Sequence, residues 1–268
     1  MNGKLPVFKT LGKALATGLS PRVIGTLFFW KCFILLFVIS ETCGFFVVFL
    51  GRFLGATGST FELLTSPIAQ LLTLIPLTLF FAPVAVKIHR GIILGEPLPN
   101  KPFSKFFSKR NMTFFWYALL FELPVVLTET LPEIYVRYIG APFWWMFYSN
   151  WLMVLYVFVL VRVVLLFPNI AVGDQWAFSH CWSLTKGNNW RLFLSNLIVG
   201  IIGYFISKLA LVTMQWVLET GFPVYWLWAD LINTFLLLFY VVVAVALVSH
   251  WFLFFQEHEP LIKNSDLA

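Results

Sequence analysis

Long unbroken apolar runs, separated by short stretches rich in lysine, arginine and proline, set the pattern of this chain. Six runs reach the roughly 20 apolar residues that cross a bilayer core of about 30 Å at about 1.5 Å per residue. They cover 26–50, 63–86, 112–131, 143–167, 190–218 and 228–255. None alternates apolar and polar positions as a membrane strand would. Backbone groups in lipid must then bond within their own segment, which predicts helices. The expected fold is an all-α polytopic membrane bundle of six transmembrane helices with short interfacial helices. A 1–25 arm precedes the membrane domain 26–255, and a 256–268 tail follows it.

The stretches between the runs carry the rest of the pattern. In the arm, Val7, Phe8, Leu11, Leu15 and Leu19 recur every three or four residues, interleaved with Lys4, Lys9 and Lys13. That spacing predicts an amphipathic helix lying on the membrane with its apolar residues among the acyl chains. Pro21 ends it. A second interfacial helix is expected over 174–186, with Pro168 closing the fourth span, Gly173 turning, Asp174 as N-cap and Gly187 just past the end. Pro97, Pro99 and Pro102 preclude a regular helix between the second and third runs. Beyond them Phe103, Lys105, Phe106, Phe107, Lys109 and Arg110 mix rings with cations, which suits a headgroup layer. Trp30, Trp116, Trp144, Trp145, Trp190, Trp226, Trp228 and Trp251 fall near span ends, as interfacial anchors do.

Composition agrees with this picture. The 268 residues are 60% hydrophobic and only 11% charged, with mean hydropathy +0.87, against about 45–50% apolar and about 25% charged in soluble domains. A water-soluble enzyme, a secreted disulfide scaffold and a disordered chain are excluded. The three cysteines, Cys32, Cys43 and Cys181, are odd in number, lack metal-ligand spacing and read as packing residues. No cleavable signal is read in the first twenty residues.

The net charge of +6 sets orientation. Thirteen lysines and arginines fall in the arm, the second and fourth loops and the tail, against Arg52 and Arg137 on the other side. The positive-inside rule then places both termini in the cytoplasm. Membrane lipids, anionic ones included, are the expected partners. No basic run is long enough to track a nucleic acid, and a protein partner or a homo-oligomer stays open.

Ionisable residues within the runs are costly and informative. Glu41 and Glu122 stand near mid-span and are expected to face the bundle or a hydrated cavity. His89, Arg90, Arg162, Lys186, Arg191 and His250 gather at the cytoplasmic ends, where they could meet a phosphate headgroup. His89 is followed at seven residues by Glu96, and His250 by Glu257, a pattern consistent with three related helical hairpins whose second helices converge on a site. Asn196, Gly200, Gly203, Ser207 and Ala210 form a small-residue stripe on the fifth span, a candidate packing seam. The Gly51–Gly55 pair is a weaker one. There is no HExxH, GxSxG or phosphate-binding loop, so no catalytic residue, metal or cofactor is assigned.

Several motifs carry a resemblance: Leu5-Pro6-Val7-Phe8-Lys9-Thr10, His89-Arg90 leading to Leu94-Gly95-Glu96, Arg162 followed by Phe167-Pro168-Asn169-Ile170-Ala171-Val172-Gly173, and Trp182-Ser183-Leu184-Thr185-Lys186-Gly187-Asn188-Asn189-Trp190-Arg191. Through them the chain resembles uncharacterised six-span inner-membrane proteins of proteobacteria. It is also similar to the membrane region fused to some glycerophosphodiester phosphodiesterases. The soluble phosphodiesterase domain has no counterpart here, so hydrolysis does not carry over. What the resemblance implies is a bacterial inner-membrane location and a link to lipids. The leading expectation is a non-enzymatic protein that binds, moves or organises lipids or another amphiphile. The alternatives are a scaffold for a protein partner and a membrane-embedded enzyme using His89 or His250 with Glu96 or Glu257.

Overall fold

The computed structural model describes residues 4–53, 67–134, 144–173, 178–220 and 223–265. Every regular element among them is a helix, and six helices are long and apolar enough to cross a membrane. Helix α1 (Val7–Gly18) and the single turn α2 (Pro21–Ile24) precede α3 (Leu27–Phe53), α4 (Pro67–Ile93) and α5 (Lys109–Ile134). Then come α6 (Trp144–Val163), the short α7 (Leu166–Val172) and α8 (Phe178–Leu184), and the long α9 (Asn189–Thr220) and α10 (Pro223–Ser265). The Tyr156 hydroxyl of α6 donates to the Phe121 carbonyl of α5 at 2.7 Å, while several serine and threonine hydroxyls inside the spans bond their own helix one turn back. Thr42, Thr78 and Ser249 donate to the carbonyls of Val38, Leu74 and Val245 at 2.7, 2.7 and 2.8 Å.

Five of the long helices close a ring. Neighbours pack in the order α4, α5, α6, α9, α10 and back to α4. Helix α3 lies outside this ring against α4 and α10. The short α7 inserts at one end among α4, α5 and α10, with Leu166, Pro168, Asn169 and Ala171 buried. Pro168 therefore does not close the fourth span as expected. The chain breaks at Val164–Leu165 and re-enters as α7, with Pro168 in the first turn, where its missing N–H costs no helical bond. Gly173, at φ +91°, then turns the chain out in the left-handed conformation.

The arm also differs from the expected interfacial helix. Helix α1 packs along the closing turns of α10 and the start of α9. Ala14 and Leu11 are buried, and a Cβ on Gly18 would fall 2.7 Å from the Val243 side chain. Asn188 Oδ1 accepts from the Leu5 amide at 2.8 Å, and Arg191 donates to the Leu5 carbonyl at 2.9 Å. Only Phe8 and Leu19 of the predicted apolar face stay widely exposed. The reason is α10, which continues as helix through the predicted tail and offers a protein surface in place of lipid. Trp251, one of the predicted anchors, lies fully buried in that same packing, whereas Trp30, Trp116, Trp190 and Trp228 are exposed on the outside. The side chains of Trp144, Trp145 and Trp226 lie outside the described residues.

Candidate functional site

The predicted headgroup residues do not form one cluster. Arg162 is spent on the protein: its guanidinium lies 3.7 Å from the Trp182 ring centroid and donates to the Trp182 carbonyl at 2.8 Å, pinning α8 against α6. Arg191 holds Leu5, as described above. His250 Nε2 meets Thr17 Oγ1 of α1 at 3.2 Å. Lys186, at the turn after α8, has interactions of its own. Cys181 is buried within α8, and burial pushes its thiol up to about 11, which leaves it an inert packing residue. The helix expected over 174–186 is seen over Phe178–Leu184; Asp174 lies outside the described residues.

Arg90 is the exception. It projects from the last turn of α4 into a cleft of 580 Å³ between that helix, the proline loop and the start of α5. The cleft draws five cations, Lys87, Arg90, Lys105, Lys109 and Arg110, against one carboxylate, Glu96. Two of the five build the wall. Lys87 Nζ donates to the carbonyls of Lys101, Pro102 and Ser104, stitching the proline loop to α4. Arg90 clamps Glu96 through both carboxylate oxygens and donates to the Ala171 carbonyl at the end of α7. Those hydrogen bonds hold Glu96 below the usual carboxylate range, with the Arg90 and Arg110 charges adding to the effect and burial opposing it. Glu96 therefore pairs with Arg90, not with His89, and the proposed His–Glu dyad is not formed.

The other three cations are exposed along the cleft, with the Arg110 guanidinium beside Gly173. Lys109 and Arg110 form the first turn of α5, a turn with no acidic residue. Cations there oppose the positive end of the helix dipole, an arrangement that an anion would relieve. Lys105 has φ +56°, the left-handed conformation that costs a side-chain-bearing residue about 1 kcal/mol or more. Asn111 Nδ2 keeps it there by donating to the carbonyls of Lys105 and Phe106 at 3.0 and 3.1 Å. Among the described residues, neither the Lys105 nor the Lys109 ammonium group has a hydrogen-bond or ion-pair partner. A second cleft of 710 Å³ lies beside this one, between α1 and the ends of α4 and α10; it shares Glu96 and Pro97 but adds only Lys13 and Arg22 as fixed cations.

The intramembrane polar residues separate as well. Glu41 is exposed on α3, outside the ring, and lies near Asp230 of α10. Glu41 thus faces a neighbouring helix along the α3–α10 seam, and not the interior of the five-helix ring. Glu122 does face inward, lining a cavity of 380 Å³ inside the ring with its Oε2 at 2.5 Å from the Thr78 hydroxyl. His89 and Asn196 line the same cavity.

The predicted seam on the fifth span resolves into one position. A Cβ on Gly203 would fall 2.6 Å from the Tyr240 ring of α10, so this glycine admits the ring. Gly200 meets nothing within 4 Å, because the stripe turns it away from α10. The side chains of Ser207 and Ala210, and Gly55 of the Gly51–Gly55 pair, lie outside the described residues.

Comparison with family models, with curated proteins and with solved structures finds no match to this chain. The functional reading therefore rests on the geometry above.

Proposed function

We propose that this integral membrane protein is a non-enzymatic lipid-handling protein that holds an anionic headgroup in the cleft between the ends of α4 and α5, on the cytoplasmic side. The observation that carries this reading is the division of labour among the five cations: Lys87 and Arg90 brace the cleft, while Lys105, Lys109 and Arg110 are presented to its opening at the positive end of a helix. A phosphate would satisfy all three together with the first amides of α5. The excess of lysine and arginine at this end of the bundle supports the cytoplasmic placement. The resemblance of the His89-Arg90 and Trp182–Arg191 motifs to those of bacterial inner-membrane proteins supports the same membrane.

Native mass spectrometry of the purified protein tests the reading. The wild-type protein retains phosphatidylglycerol in preference to phosphatidylcholine. A triple Lys105→Gln, Lys109→Gln, Arg110→Gln variant loses that preference by roughly a hundredfold, taking about 1 kcal/mol per cation. Equal retention of both lipids by the wild type, or an unchanged preference in the variant, refutes it.

A further inference from the structure

The cavity lined by all five helices of the ring has two polar layers and a largely apolar middle. His89 is 2% exposed, and its Nδ1 lies 2.7 Å from Ser249 Oγ. Ser249 has one proton, already donated to the Val245 carbonyl, so it can only accept from the imidazole. The ring then carries its proton on Nδ1 and leaves Nε2 as a bare acceptor. Among the described residues Nε2 has no partner, and neither does the Asn196 amide, although both residues line the cavity.

Helical register places these two groups in one layer. Gly203 faces Tyr240, so Asn196 stands about 10 Å and Ser249 about 13 Å from that level, both toward the cationic end of the ring. The second layer, Thr78 with Glu122, lies eleven residues back along α4, about 16 Å deeper. Between the layers, Ala82, Ala85, Ala118 and Ala244 open the space, and phenylalanine, leucine and valine side chains close it. A buried water needs about two to four polar partners, and between the layers the lining offers only the Tyr240 hydroxyl. Water can fill the ends of this slot but not its length.

We propose that the cavity is a binding site for one single-chain amphiphile with an uncharged hydroxyl-bearing head. The head donates to His89 Nε2 and accepts from the Asn196 amide, and the alkyl chain fills the alanine-lined middle. A volume of 380 Å³ falls within the roughly 300–1,000 Å³ typical of ligand pockets. The slot and the cationic cleft share no lining residue, so the site is independent of the headgroup reading.

A diazirine-bearing dodecanol tests the assignment on the full chain in lipid nanodiscs. Irradiation labels the segments around Ala85, Phe114 and Val245, and excess dodecanol suppresses the labelling at least tenfold more effectively than dodecane, which lacks the hydroxyl. Ala85→Trp fills the slot and abolishes labelling. Asn196→Val weakens competition by dodecanol about tenfold while leaving dodecane unchanged, and thermal melting confirms that both variants fold. The Lys105, Lys109, Arg110 triple variant labels as the wild type does, whatever its lipid preference. Equal competition by dodecane and dodecanol, or labelling that survives in a folded Ala85→Trp protein, overturns the proposal.

Discussion

The cleft and the cavity share no lining residue, and they solve the problem of polar groups near lipid in opposite ways. In the cleft, charge is abundant and only half committed: two cations are braced by carbonyls and Glu96, and the rest face water. Inside the ring, polar groups are few, and hydroxyls are tied to their own helix before they meet a side chain. The difference follows from the solvent. Water compensates an unpaired ammonium group, whereas an unpaired polar atom among apolar walls costs about 1–3 kcal/mol. Changes inside the ring should therefore cost stability first, and changes in the cleft should cost binding first.

The largest stability effect that could break this contrast is at Gly203. Gly203→Leu must displace the Tyr240 ring and is expected to destabilise the protein by about 1–3 kcal/mol, read as a lower melting temperature in detergent. Gly200→Leu, which meets open space, is expected to change melting little; equal losses at both positions would mean that the α9–α10 seam is misplaced. In the cleft, the Lys105, Lys109, Arg110 triple variant should keep its melting behaviour within about 0.5 kcal/mol of the wild type, and a collapse there would make those cations structural rather than ligand-facing.

Smallest is the Arg90–Glu96 clamp. Glu96 has a lowered pKa in the folded protein, so its contribution is present above the ordinary carboxylate range and is lost as pH falls through the lowered value. Being largely exposed, it is worth no more than about 0.5 kcal/mol. Glu96→Gln should melt slightly below the wild type at neutral pH, and the two should converge only once the pH has fallen through the lowered Glu96 value, beneath the ordinary carboxylate range. A difference that persists in acid would show that the clamp is not what the substitution removes.

The helical class and the six spans were legible because continuous apolar runs leave the backbone no alternative in lipid. The turn after α4 was legible for a similar reason, since Gly95 and the following prolines admit no helix. What could not be read was which face each cation takes. Arg90, Arg162 and Arg191 look alike in sequence, yet Arg162 stacks on Trp182 and Arg191 holds Leu5, because α8 and α1 fold back across the bundle end. Such long-range packing leaves no periodic trace. Lys105, Lys109 and Arg110 were visible as a ring-and-cation stretch suited to headgroups, but their convergence on Arg90 depends on the proline loop that Lys87 ties down. The cavity was hinted at by Glu122 and by the idea of converging second helices. Its partners Ser249 and Tyr240 carried no signal, being an ordinary serine and tyrosine in an apolar run.

The central claim is that anionic headgroups, and not lipids in general, occupy the cleft. Phosphorus NMR in mixed nanodiscs tests it directly. With the three native cysteines replaced and a nitroxide placed at Ser108→Cys on the cleft wall, the phosphatidylglycerol resonance should broaden well beyond that of phosphatidylcholine. The excess should vanish when Lys105, Lys109 and Arg110 are changed to glutamine. Equal broadening of both resonances in the unsubstituted cleft would contradict the claim.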